Sequence, residues 1–144
     1  MDQLTMDAIK LSISIIGALT GTSGLIISLF SSRREKYQVV SEFLSELSDP
    51  KFIAAKKYVY TNDTSDVEDE QVAIVVNFFH HWGLLANKKY LPMWVFDGAT
   101  GRGTCRLYER TQMYIAKRRE HNQDYLYAEY FEWLYKKIKR RKRI

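Results

Sequence analysis

Charged and apolar positions divide this chain sharply. From Leu11 to Phe30 twenty consecutive residues carry no charge, LSISIIGALTGTSGLIISLF. As a helix rising about 1.5 Å per residue, that length covers roughly 30 Å, the hydrocarbon thickness of a bilayer. The pattern predicts one membrane-spanning helix. Beyond it the apolar residues recur at amphipathic helix spacing. Tyr37, Val40, Phe43, Leu44 and Leu47 continue the helix to Ser48-Asp49-Pro50, where Asp49 suits an N-cap and Pro50 the first position of the next helix. Phe52, Ile53, Ala55, Lys56, Val59 and Tyr60 make that helix amphipathic. After the polar stretch TNDTSD, Ser65-x-x-Glu68 reads as a capping box opening a helix at about Asp66–Ala86. Its apolar residues lie almost all round, which predicts burial at the centre of a bundle. Pro92–Phe96 reads as a short helix, Asp97–Thr104 (DGATGRGT) as a glycine-rich loop, and Thr104–Glu120 as a helix. In that helix Leu107, Tyr108, Thr111, Tyr114 and Ile115 point inward and Arg110, Lys117, Arg118 and Arg119 outward. A final helix, Tyr125 to about Arg141, places Tyr127, Tyr130, Phe131, Leu134 and Ile138 on one face. The expected fold is all-α: one N-terminal transmembrane helix (1–31), then a bundle of five or six helices with a polybasic C-terminal tail (32–144).

The apolar stretch has a second pattern. Nine of its twenty residues are Gly, Ser or Thr. Wound at about 100° per residue, Ser14, Gly17, Gly21, Gly24 and Ser28 fall with Lys10 on one stripe, and the aliphatic residues lie elsewhere. In lipid, helices associate where small residues let their backbones approach closely. The stripe therefore predicts a homo-oligomer; lining an aqueous path in a ring of copies is the sharper form of the same idea. The leader MDQLTMDAIK carries Asp2 and Asp7 against Lys10, unlike the positive n-region of a cleaved signal peptide. Arg33, Arg34 and Lys36 follow the span, so the positive-inside bias puts the N-terminus outside and the domain in the cytoplasm, at a bacterial inner membrane.

Composition adds little to the fold but much to the tail. One cysteine, Cys105, excludes an intrachain disulfide and suits a reducing compartment. Net charge is +5, yet seven of the 22 basic residues lie in Lys136–Arg143; the rest leave 15 basic against 17 acidic. Lys136, Lys137, Lys139, Arg140, Arg141, Lys142 and Arg143 admit three readings. They could meet anionic lipid headgroups, at roughly 1 kcal/mol per basic residue near the surface. They could bind nucleic-acid phosphates by counterion release. Or they are a solvated helix end whose cations suit the dipole.

No residue pattern points to catalysis, a cofactor or a metal. A HEPN ribonuclease needs Arg four to six residues before His, and none of His80, His81 and His121 has it. His80 and His81 stand about 100° apart on a helix and cannot share one metal, which wants i, i+4 spacing. Gly98–Thr104 with Arg102 invites a phosphate-cradle reading but lacks the P-loop spacing and a preceding strand. Cys105 has no evident base.

The residues Phe43-Leu44-Ser45, Asp49-Pro50-Lys51-Phe52, Tyr58-Val59-Tyr60, Asn77-Phe78-Phe79, Gly83-Leu84-Leu85, Tyr108-Glu109-Arg110, Arg118-Arg119-Glu120 and Tyr130-Phe131-Glu132-Trp133-Leu134 carry a resemblance. The chain resembles, over about Glu35–Leu134, the small bacterial family known as domain of unknown function 4760. The resemblance implies a membrane helix followed by a helical cytoplasmic domain and brings no catalytic residues. In layout alone the chain is similar to small membrane proteins that accompany RNA-targeting CRISPR nucleases. The resulting expectation is a non-enzymatic membrane scaffold, partner-docking protein or pore, in bacterial antiphage defence by that analogy. A membrane-tethered RNA-binding or degenerate HEPN-like module is the alternative.

Overall fold

The computed structural model describes residues 34–142. The chain divides into two units, Met1–Tyr37 and Gln38–Ile144. Of the first, the described residues form a single helical turn. The predicted transmembrane helix and its stripe, Ser14, Gly17, Gly21, Gly24 and Ser28, lie outside the described residues. Among the described residues no helix is long and apolar enough to cross a membrane.

The described residues of the second unit are all-helical apart from turns and connections. Helix α1 (34–47), which enters this unit at Gln38, ends where Asp49 caps the next, accepting from the Lys51 and Phe52 amides with Pro50 at the first position. Helix α2 is Pro50–Thr61 and buries Phe52, Ala55 and Val59; Ile53 and Tyr60, expected on the same face, are partly in solvent. Helix α3, Glu70–Asn87, starts later than its sequence signal. The capping box at Ser65 and Glu68 does not form. Asp63 and Asp66 instead close turns onto the Ser65 and Glu68 amides, and Asp69 caps α3 through the Gln71 and Val72 amides. Thr64, inside this polar stretch, is buried and donates to the Arg110 carbonyl.

Helix α3 is the centre, as its nearly all-round apolarity predicts. It packs against α2, α4 (Ala99–Asn122) and α5 (Glu129–Lys142). Phe43 of α1 meets Trp82 edge-on at 5.2 Å between centroids, and Phe79 stacks on Phe131 of α5 at 4.9 Å. The Trp82 indole donates to Glu46 at 2.9 Å, so the one polar atom of this large buried ring is satisfied. Lys89, at φ 66°, takes the left-handed position that closes the end of α3.

Pro92–Phe96 resolves into a 3₁₀ turn, Met93–Phe96. The predicted loop Asp97–Thr104 is a correction. Gly98 turns the chain at φ 69°, and α4 begins at Ala99, taking Gly101 and Gly103 into its first turns. Glycine costs a helix interior about 1 kcal/mol against alanine. Packing offsets that cost at Gly101, where a Cβ would collide with the Phe96 carbonyl. The five residues predicted inward on α4, Leu107, Tyr108, Thr111, Tyr114 and Ile115, are all buried. Helix α5 begins at Glu129, later than Tyr125, because Asp124–Ala128 form turns that carry Ala128 at φ 59°. Of its predicted face, Phe131, Leu134 and Ile138 are buried, Tyr130 is half-buried, and Tyr127 precedes the helix and is half-buried.

Candidate anion-binding cleft

Helices α4 and α5 run antiparallel, with Arg119 on Glu132 at 3.0 Å towards one end and Glu109 on Lys139 at 2.8 Å towards the other. At that second end a cleft of about 190 Å³ opens between them. Gly101, Cys105 and Ile138 are buried at its floor, and Arg102, Arg106, Glu109 and Lys139 rim it. Residues 102, 106 and 109 fall at i, i+4 and i+7, one face of α4. At Gly101 the Ile138 side chain comes within 3.3 Å of where a Cβ would sit, so the floor is low there and the longer neighbours stand out as walls.

Three cations and one carboxylate give this rim a positive balance. Glu109 is already engaged: it accepts from the Lys139 ammonium and from the Tyr135 hydroxyl at 3.1 Å. Those bonds, Lys139 first, hold its carboxyl below the ordinary carboxylate value, and the same carboxylate raises the Lys139 pKa. Lys139 also lies 5.2 Å from the Tyr135 ring centroid, and Tyr135 stacks on Tyr108 at 4.4 Å. Burial pushes the Tyr108 hydroxyl pKa up to about 12. Lys139 is therefore positioned from two sides. Arg102 follows a first turn of α4 that has no acidic residue. A helix N-terminus carries partial positive charge, so the surroundings favour an anion there and disfavour a further cation. Arginine forks match two oxygens of a phosphate or carboxylate at once. The arrangement can hold an anion.

The other tail residues are dispersed. Lys136 pairs with Glu132 one turn back, and Arg141 reaches Asp97 at 3.5 Å. Glu132 is held below the ordinary carboxylate value by Lys136 and then by Arg119. Lys137 and Arg140 point to solvent and make no ion pair among the described residues. The Lys142 side chain and Arg143 lie outside the described residues. As far as Lys142 the tail is thus the end of α5, partly neutralised by the domain it belongs to.

Arginines predicted as a solvent-facing row on α4 mostly serve the fold. Arg110 donates to the carbonyls of Val59, Tyr60 and Asn62, satisfying the exposed C-terminal end of α2. Arg118 donates to the Val67 carbonyl and Arg119 to the Tyr127 carbonyl at 2.9 Å. His80 is half-buried beside Tyr130, and its Nδ1 has no hydrogen-bond partner among the described residues; burial lowers its pKa. His81 is exposed beside Trp82. Among the described residues no group of three His, Cys, Asp or Glu could hold a metal ion. Sequence reasoning passed over Arg106 and Glu109 and set Arg102 in a loop. The signal was the i, i+4, i+7 spacing, obscured by three glycines that read as loop.

Compared with known families, the chain matches a domain of unknown function (DUF4760) over residues 14–138. Nothing among curated proteins or solved structures matches it.

Proposed function

From the premise that the chain belongs to the DUF4760 family, we propose that it is a single-pass membrane protein without catalytic activity. In this reading the N-terminus lies outside a bacterial inner membrane and the helical domain inside. Copies associate through Ser14, Gly17, Gly21, Gly24 and Ser28, and the domain serves as scaffold, partner-docking surface or pore cap. Bacterial antiphage defence is the setting its layout resembles. The observation that carries the reading is the uncharged run Leu11–Phe30 followed at once by Arg33, Arg34 and Lys36. Support comes from the family match, which begins inside that run and continues through the domain, so the two are matched as one piece.

The test has two steps. Membranes from expressing cells are washed with alkaline carbonate, and the protein is expected to stay in the pellet. Its detergent-extracted mass is then expected to correspond to several copies, and Gly21→Ile to reduce it to one, because a branched side chain holds the backbones apart. Release by the wash, or an unchanged mass in Gly21→Ile, overturns the reading.

The exposed cations Arg102, Arg106, Lys137 and Arg140 favour a second reading, a membrane-tethered RNA-binding or degenerate HEPN-like module. It predicts salt-sensitive RNA binding that deletion of Lys136–Arg143 abolishes.

A further inference from the structure

We infer that the cleft between α4 and α5 is a binding site for a dianionic phosphate monoester, held by Arg102, Arg106 and Lys139. The inference stands on the cleft's own geometry and charge, independently of the membrane reading. The cavity of about 190 Å³ has an apolar, buried floor and a charged rim, so a ligand entering it loses water on one side while its charge meets cations on the other. The rim cations themselves stay exposed, so the apolar floor shields such a ligand from water on one side only.

Charge selects the ligand class. Three cations against Glu109 leave a balance of two positive charges at the rim. A phosphate monoester near neutral pH carries about two negative charges and three terminal oxygens. A phosphodiester, with one charge and two free oxygens, leaves a cation of the rim uncompensated. Glu109 acts as the positioning residue: its bond to Lys139 at 2.8 Å fixes the ammonium beside the cleft, and the Tyr135 hydroxyl holds the carboxylate in place. The ligand's partners are the two guanidinium groups of α4 and the remaining N–H bonds of Lys139. Arg102 and Arg106 have exposed side chains, so replacing them removes charge without disturbing the core.

A monoester could belong to a soluble metabolite or to a lipid headgroup, and the experiment separates the two sources. The full chain is placed in phosphatidylcholine nanodiscs, and its thermal midpoint is followed while glycerol 3-phosphate is added at constant ionic strength. A ligand that binds only the folded state raises the midpoint with concentration. Saturable stabilisation is expected, with dimethyl phosphate at least tenfold weaker. Arg102→Ala/Arg106→Ala is expected to weaken the response at least tenfold, Arg102→Lys/Arg106→Lys to weaken it less, and Lys137→Ala/Arg140→Ala to leave it unchanged. If phosphatidic acid in the disc stabilises the protein and abolishes the response to glycerol 3-phosphate, the source is a headgroup; if the response persists, it is soluble. A chain that fractionates without membranes is titrated in buffer alone, so failure of the membrane reading leaves this test standing. The inference is overturned if glycerol 3-phosphate does no more than chloride, if dimethyl phosphate matches it, or if Lys137→Ala/Arg140→Ala abolishes the effect equally.

Discussion

At Gly83 and Gly101 neighbouring backbone occupies the space a Cβ would need: the Tyr130 carbonyl of α5 in the first case, the Phe96 carbonyl in the second. Neither neighbour is a flexible side-chain end, so Gly83→Ala or Gly101→Ala must push two segments apart, at a cost of roughly 1–3 kcal/mol. Gly103, two residues on, has nothing among the described residues within 4 Å of its Cβ position and lies within α4. There alanine is expected to raise stability by up to about 1 kcal/mol through helix propensity alone. Urea unfolding of the three variants checks the opposed signs. His80 gives a second prediction at this scale. Its folded pKa is lowered from 6.5, chiefly by burial, with Glu129 and Asp124 opposing that shift and His81 adding to it. The unfolded chain therefore binds its proton more readily, and the histidine's contribution to stability falls away as pH drops below about 6.5. His80→Leu is expected to flatten the unfolding profile between about pH 7 and pH 5, measured by chemical denaturation at each pH.

Element by element, helix ends and helix pairs carry the specificity. Asp69 accepts from two amides at the start of α3, and Asp69→Ala is expected to cost about 1 kcal/mol, read by thermal unfolding. The Ser65–Glu68 signal lost to Asp69 because Asp63 and Asp66 turn the backbone first, before the apolar run begins. Along the α4–α5 pair, Glu132 joins Arg119 and Lys136 in one partly exposed network. Its pKa is depressed, so the stability it supplies is complete above the ordinary carboxylate value of 4.5 and is lost as pH falls through the lower folded value. Glu132→Gln is expected to destabilise the pair by about 0.2–1 kcal/mol at neutral pH, the difference closing in acid, as acid titration of helical circular dichroism will show.

For the whole molecule, the contacts within Gln38–Ile144 form one compact unit around α3. That fragment expressed alone is expected to unfold in a single cooperative step by both far-ultraviolet and near-ultraviolet circular dichroism; a gradual loss would show that the core needs the preceding residues. Much of this architecture is legible in the sequence. Helix spacing gave α2, the centrality of α3, the inward row of α4 and the buried face of α5, because amphipathic period and proline-led caps are local properties. The long uncharged run and its small-residue stripe are likewise plain in the sequence, although they lie outside the described residues. What the sequence by itself hid is the start of α4, where three glycines read as a loop. Local propensity there is outweighed by the close packing that Gly101 allows against the nearby Phe96 carbonyl and against Ile138 of α5, and the second of these exists only once distant segments have met. The same closure brings Lys139 beside Arg102 and Arg106, some thirty-five residues apart in the chain. Chain order determines which cations are present; only the antiparallel docking of α4 and α5 decides which of them face one another, because opposition between helices is set by register and not by sequence neighbours.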